Sequence, residues 1–144
     1  MNNDNIIKGL NDLLEKNYDG ERGWKNASEN TDNPRLTSFF KGKVKQRYDF
    51  GHEIKSLIKE LGGKPDKGGS VAGTIHRRWM DLKTALSTNN EETVLNACET
   101  GEEAALNDYD EFLQQNVLPA NVRNVISEQR NKIAATLRSV EVME

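Results

Sequence analysis

The residues of this sequence best suited to chemistry are acids that fall on or beside the apolar face of a helix. Residues 94–112 carry a stripe at the three-and-four spacing of a packed helix. Its members are Val94, Cys98, Gly101, Ala105, Tyr109 and Phe112. Taking about 100° per residue, Glu102 falls about 40° from the centre of this stripe and Glu99 near its edge. A carboxylate that points into a core must be paired, protonated or bound to a metal.

Three further polar residues fall on apolar faces of other predicted helices. Glu21 projects close to the centre of the apolar face of the first helix. Arg47 lies on the apolar face of the second helix, and His76 lies at the edge of that of the third. An arginine among these acids indicates an internal ion-pair network. The alternative is a mononuclear or weak site for iron or manganese. The ligands of that metal site would be Glu21, Glu99, Glu102 and His76.

Nucleophilic catalysis has little support in this sequence. No serine lies beside a histidine in a recognisable motif. Cys98 has no histidine next to it in sequence and falls in the middle of a stripe, where a small buried thiol is the expected role. We therefore predict no catalytic residues and leave open whether the protein is an enzyme.

Composition narrows the classes of protein and partner. Of 144 residues, 35% are hydrophobic and 30% charged, a balance typical of a helical bundle with narrow apolar stripes. The formal charge of -3 argues against nucleic acid as the main partner. No apolar run has membrane-spanning length and the N-terminus lacks a signal pattern, so we expect a cytoplasmic protein that does not enter a membrane.

The elements that must position these residues are helices. The first is predicted to begin at position 3 or 4 and to continue to about Asn30. Asp-Gly at 19–20 is a turn signal and each glycine inside a helix costs up to about 1 kcal/mol. We nevertheless predict one helix, because the apolar stripe continues in register past Gly20 and Gly23. Four more helices follow, with predicted boundaries near Asn33, 62–70, 89–90 and Pro119.

Helices joined by short links predict an all-α fold, an antiparallel four-helix bundle with an additional C-terminal helix. We place the bundle at residues 1–116 and the additional helix at 117–144. That helix has a less apolar face, so it would pack on the bundle or on a subunit interface. Whether the protein forms a homo-oligomer through its helical faces therefore stays open.

Two stretches of the chain carry a resemblance. Residues 70–83, SVAGTIHRRWMDLK, and residues 99–109, ETGEEAALNDY, resemble a family of small bacterial proteins of unknown function. That family is placed in the ferritin-like superfamily of four-helix bundles, and the match covers roughly the first four helices. The resemblance implies a ferritin-like fold. It implies no established activity, because the family is uncharacterised and linked at most loosely to stress responses.

Ferritin-like di-iron sites take a lone Glu from each of two helices and a Glu-x-x-His from each of the other two. Glu21 suits a lone position on the first helix. Glu99-Thr-Gly-Glu102 has the spacing of the motif, with Glu in place of His. A di-iron site would need a second such motif on the second helix.

The second helix offers Asp49-Phe-Gly-His52 for that motif, but a helical-wheel projection places these two side chains away from the apolar face. His52 falls about 160° from Phe50, and Asp49 also points largely outwards. Arg47 stands at the inward position, and its positive charge would oppose two divalent irons. We therefore predict that Asp49 and His52 are exposed to solvent and bind no structural metal.

These departures from the di-iron motif favour a bundle in which an internal ion pair has replaced the metals. In it, Arg47 would contact at least one of Glu21, Glu99 and Glu102. The predicted function is that of a non-catalytic structural or interaction protein with a stress-related role and no cofactor. The alternative is a ferritin-like oxidase or storage protein that binds iron or manganese at an atypical carboxylate site.

Overall fold

The computed structural model describes residues 3–67, 79–88, 90–115 and 117–144. Across these residues the chain forms five α-helices and no strand, so the all-helical prediction is confirmed. The helices are α1 (Asn3–Glu29), α2 (Pro34–Glu60), α3 (Met80–Ser87), α4 (Glu91–Leu113) and α5 (Ala120–Met143). The predicted start of the third helix at Ser70 lies outside the described residues, and so does His76.

The first helix is continuous, as the apolar stripe predicts. Gly20 and Gly23 both lie inside α1, and the Asp-Gly pair forms no turn. A Cβ added at Gly20 would lie 2.9 Å from Nη1 of Arg47, and one added at Gly23 would lie 2.5 Å from the indole of Trp79. Each glycine therefore leaves space that a neighbouring side chain occupies. The packing of α1 against its neighbours therefore outweighs the local preference for a turn.

The predicted capping residues set the starts of α2 and α4. The Asn33 side chain accepts a hydrogen bond from the backbone N–H of Arg35 at 2.9 Å, with Pro34 at the first helical position. The Asn90 side chain accepts one from the backbone N–H of Thr93 at 3.0 Å. Both caps satisfy backbone donors that the first turn of a helix leaves without partners.

The end of α2 is a Schellman motif. The backbone N–H of Gly63 donates to the carbonyl of Ile58 at 2.9 Å, and that of Gly62 donates to Lys59 at 3.0 Å. Gly62 has a φ of 87°, a left-handed conformation that glycine adopts without steric cost. The glycines at the start of the predicted connection thus serve to end the helix.

One helix end differs from the predicted one. α4 ends at Leu113 and not at Pro119, because the guanidinium of Arg123 in α5 donates to the carbonyls of Leu113 at 3.2 Å and Gln115 at 2.7 Å. These bonds satisfy carbonyls at the end of the helix. Within the described residues, α3 begins at Met80, directly after Trp79, which has φ -108° and ψ 4°.

Neighbouring long helices run antiparallel. α1 packs against α2 and α4, while α5 packs against α4 and α2. Asn33 at the start of α2 donates to Glu91 at the start of α4 at 3.4 Å, so these two helices begin at the same end of the molecule. At the other end, Asn121 of α5 donates to Glu60 of α2 at 3.0 Å. α2 and α4 are therefore parallel and lie diagonally opposite each other.

The C-terminal helix contributes directly to the core. Val122, Ile126 and Ile133 of α5 are fully buried among apolar residues of α1, α2 and α4. α3 packs against α1 and α4, and Leu82 and Ala85 of α3 join the preceding Trp79 in a second apolar cluster at the other end. The division of the chain at 116/117 stays a prediction. In the described residues no helix is long and apolar enough to cross a membrane.

The ring of Trp79 occupies a slot between Gly23 of α1 and Gly101 of α4. An added Cβ at Gly101 would lie 2.7 Å from the indole, closer than real packing allows. We expect Gly101→Ala to lower the free energy of unfolding by about 1–3 kcal/mol in chemical denaturation, because the ring must shift. Gly42→Ala is the control, since nothing lies within 4 Å of its added Cβ. Equal stability of the two variants would contradict the packing of Trp79 in this slot.

Candidate functional site

A salt bridge between Arg47 and Glu102 lies in the centre of the bundle. Their side chains are 1% and 0% exposed. Arg47 comes from α2 and Glu102 from α4, and these two fully described helices have no close backbone contact. The pair therefore spans the diagonal of the bundle. The prediction that Arg47 contacts at least one of the three acids is confirmed.

Gly20 has no side chain and therefore leaves room for the guanidinium of Arg47. An added Cβ there would lie 2.9 Å from Nη1 and 3.3 Å from Cζ of the guanidinium. Nη1 also donates to Oδ1 of Asn17 at 3.2 Å. α1 thus supplies both the space for the guanidinium and a neutral acceptor beside it.

The electrostatics of the pair follow from its burial. Removal from water raises the pKa of the Glu102 carboxyl above its usual range, while the positive charges of Arg47 and Lys43 oppose the rise. The indole N–H of Trp24 also stabilises the charged form of Glu102 and so opposes the rise of its pKa, although its geometry is not that of a full hydrogen bond. Burial also lowers the pKa of Lys43, which is half-buried.

A chain of hydrogen bonds extends the ion pair across the core. Nδ2 of Asn17 donates to the hydroxyl of Tyr109 at 2.8 Å, and that hydroxyl donates to Oε1 of Gln129 at 2.6 Å. Nε2 of Gln129 then donates to the carbonyl of Phe50 at 3.2 Å and to Glu53 at 2.8 Å. The chain reaches from the buried pair to the surface carboxylate of Glu53 and links all four long helices.

Sequence reasoning missed two members of this chain, although a signal for them is present. Gln129 stands between Ile126 and Ile133 at the spacing of the buried stripe of α5. Asn17 likewise lies between buried Leu13 and Gly20 on α1. A polar residue in an apolar stripe needs a buried partner, so both positions could have been included in the polar core.

Two of the predicted inward acids do not lie in the core. Glu21 is half-buried and lines a surface cavity, because the buried face of α1 passes through Gly20, Gly23 and Trp24 and leaves Glu21 at its edge. Glu99 lies beside the end of α5, where the neighbouring Glu144 carboxyl raises the pKa of Glu99. The ion-pair prediction is thus correct for Glu102, and the placement of the other two acids is corrected.

The predicted metal ligands can be placed only in part. Glu102 is bound to Arg47, Glu21 and Glu99 lie away from the core, and His76 is outside the described residues. Within the described part of the chain, no group of three or more His, Cys, Asp or Glu residues could hold a metal ion. The ligand set that includes His76 stays a prediction.

The predicted exposure of Asp49 and His52 is confirmed. The Asp49 side chain is 53% exposed and accepts a hydrogen bond from Lys45 at 2.9 Å. His52 is exposed, and its ring packs edge-on against that of Tyr48 with 4.5 Å between centroids. Neither residue lies in the polar core.

Cys98 is a buried thiol, as its position in the stripe predicts. It is 0% exposed and packs in the apolar cluster with Trp24 and Trp79. Burial, together with the negative charge of Glu102, raises the pKa of the Cys98 thiol far above its usual range. Such a thiol lacks the thiolate character that nucleophilic chemistry requires.

The described part of the molecule is an all-helical bundle with a polar network in its core and no exposed nucleophile in that network. A comparison with protein families places the chain more specifically. Residues 5–115 match the family described as Domain of unknown function (DUF2383), and the chain belongs to that family. A search of curated proteins finds no match.

We expect Arg47→Met to lower the free energy of unfolding by about 3–5 kcal/mol, because it leaves the carboxylate of Glu102 buried without its counter-charge. The double variant Arg47→Met/Glu102→Gln should recover part of this loss, since it removes both charges. Chemical denaturation of the parent, both single variants and the double variant measures the coupling. Additive effects of the two substitutions would contradict a direct ion pair.

We expect Tyr109→Phe to destabilise the protein by about 1–3 kcal/mol, because Gln129 loses a buried donor and Asn17 a buried acceptor. Tyr48→Phe is the matched control, since Tyr48 is 54% exposed. Thermal and chemical denaturation of both variants provide the comparison. Equal stability of Tyr109→Phe and the parent would show that the phenol is not an essential link of the network.

Proposed function

We propose that this protein is a non-catalytic helical bundle of the ferritin-like type, in which a buried ion pair takes the place of a metal centre. Its role would be that of a structural or interaction protein. The observation that carries the proposal is the position of Arg47, whose guanidinium bridges α2 to Glu102 of α4 across the centre of the bundle. Ferritin-like carboxylate proteins use inward side chains of these helices as metal ligands.

The charge of Arg47 explains why a metal would be disfavoured here. A guanidinium stays charged in proteins, and the repulsion between it and a divalent cation a few ångströms away is large at low dielectric. The carboxylate that a metal would need is already engaged by the arginine. A bundle of this kind gains a fixed diagonal contact and gives up the open coordination positions that metal catalysis requires.

Binding of iron or manganese is the second candidate, and one observation favours it. Oε2 of Glu102 is fully buried and has no hydrogen-bond partner among the described residues. A buried carboxylate oxygen without a partner is a position where a cation or a water would be stabilising. We rank this candidate second because Arg47 would have to move before several ligands could approach Glu102.

Metal analysis together with melting experiments separates the two candidates. Protein purified without chelator should contain no stoichiometric iron or manganese, and adding either metal should leave its melting temperature unchanged. The parent should melt well above Arg47→Met. A parent that is stabilised by several degrees on adding iron, together with an Arg47→Met variant of normal stability, would replace the ion-pair proposal with the metal proposal. Glu102→Ala would then abolish metal binding.

The stress-related role belongs to this proposal through the family resemblance. Growth of a deletion strain under oxidant, compared with the same strain carrying the parent gene, tests it. Self-association through the helical faces is a further part of the proposal, since an interaction protein acts through its surface. Sedimentation at increasing protein concentration measures it, and a single concentration-independent species of one chain would contradict self-association.

A further inference from the structure

The outer face of α2 carries a row of basic and aromatic side chains. From residue 34 to residue 48 this helix contains five Lys or Arg residues and no Asp or Glu. Taking about 100° per residue, four exposed residues fall within about 60° of one another around the helix. We call them the basic row: Lys41, Lys45, Tyr48 and His52.

α4 carries an acidic row with the same spacing. The helix contains eight Asp or Glu residues and no Lys, Arg or His. The four residues that repeat the intervals of the basic row are Glu99, Glu103, Leu106 and Asp110. Glu103 is exposed and the other three are half-buried, so the row lies at the surface of the bundle.

The two rows lie at the same height in the bundle. α2 and α4 are parallel, and the contact between Asn33 and Glu91 brings residues 58 positions apart in the chain to one level. Both helices rise about 1.5 Å per residue, so this correspondence continues along their length. The separation of 58 positions also relates the members of the two rows, Lys41 to Glu99, Lys45 to Glu103, Tyr48 to Leu106 and His52 to Asp110.

The rows point in opposite directions from the bundle. The buried faces of α2 and α4 correspond at the same offset, in the pairs Leu36 and Val94, Phe40 and Cys98, Phe50 and Asp108, and Ile54 and Phe112. Each row therefore lies at the same angle from the buried face of its own helix. Because the two helices are diagonally opposite, their buried faces point towards each other and the rows point apart. A second copy displaced without rotation thus presents its acidic row to the basic row of the first.

Further carboxyl groups lie beside the acidic row. The Glu144 carboxyl, which is hydrogen-bonded to Glu99, and partial removal from water raise the pKa of Glu99, and the charge of Glu103 adds to this rise. Like charges so close together repel each other. A cation supplied by a second molecule would relieve this repulsion.

The ion pairs that row residues form within one copy are exposed. Lys45 contacts Asp49 at 2.9 Å, with side chains that are 77% and 53% exposed. Arg130 contacts Asp110 at 2.8 Å, with side chains that are 34% and 43% exposed. Exposed pairs of this kind contribute little to stability, so they do not prevent pairing with another molecule.

The middle of each row is apolar. Tyr48 is 54% exposed, and its ring contacts that of His52 with 4.5 Å between centroids. Leu106 of α4, at the corresponding position, is half-buried. An apolar centre with charges on either side is the usual arrangement of a protein–protein contact.

We propose that this protein associates head to tail with itself, the basic row of one copy packing along the acidic row of the next. Lys41 and Lys45 of one copy pair with Glu99 and Glu103 of the next. The two surfaces differ, so the contact is heterologous and extends to an open chain of molecules. This inference rests on the proposed role of an interaction protein and specifies the surface through which it associates with itself.

Sedimentation of the whole protein at increasing concentration tests the contact. We expect the average mass of the parent to rise with concentration at low salt and to return to that of one chain in about 1 M NaCl. The reason is that the Debye length falls from about 10 Å at 0.1 M salt to about 3 Å at 1 M. Lys41→Glu/Lys45→Glu should weaken association at least about tenfold, because two attractive pairs become repulsive.

Mixing two charge-reversed variants is the sharpest comparison. Glu99→Lys/Glu103→Lys should associate as poorly as the lysine variant does. An equimolar mixture of the two variants should regain association, since every contact between them joins opposite charges. The matched control is Lys8→Glu/Lys25→Glu, which makes the same change of charge at exposed positions of α1 and should associate as the parent does.

The outcomes separate this contact from the rest of the proposed function. If the parent associates and the row variants associate equally well, another face is used and the proposed rows are wrong. If the folded variants fail to associate even when mixed, direct pairing of the rows is contradicted. A parent of one chain at every concentration contradicts self-association altogether. Melting of Arg47→Met tests the core ion pair independently of all three results.

Discussion

The structure depends on a buried charge pair that crosses the bundle from α2 to α4. The two helices lie on the diagonal and have no close backbone contact, and the Arg47 and Glu102 side chains join them directly in the core. A charge at this depth is tolerable only with a partner, because an uncompensated one costs several kcal/mol. The position of each helix is therefore constrained by the length of two side chains.

The hydrogen-bonded chain through Asn17, Tyr109 and Gln129 extends that constraint to the other two long helices. Apolar packing by itself tolerates rotation and sliding of helices, whereas buried polar groups must find particular partners. We interpret the chain as a device that fixes the register of α1 and α5 against the ion pair. It also explains why α5 is part of the core and does not merely cover it, since Gln129 bonds to both α2 and α4.

Among the described residues, several glycines create space for large side chains inside helices. Gly20 accommodates the guanidinium of Arg47, and Gly23 and Gly101 accommodate the indole of Trp79. These contacts join residues that are distant in the chain, so the sequence shows the glycines but not the groups that fill the space beside them.

The sequence by itself determined the helices, their caps and the burial of Glu102, because periodicity and capping are local properties that short stretches encode. It also placed Arg47 inward and His52 outward. Only the tertiary structure decided which acid meets the arginine, since that depends on how the helices are rotated about their axes. The same rotation moved Glu21 to the edge of the buried face, and a contact from Arg123 ended α4 early. Arg47 and Glu102 are 55 residues apart in sequence, so no local pattern could predict that they meet.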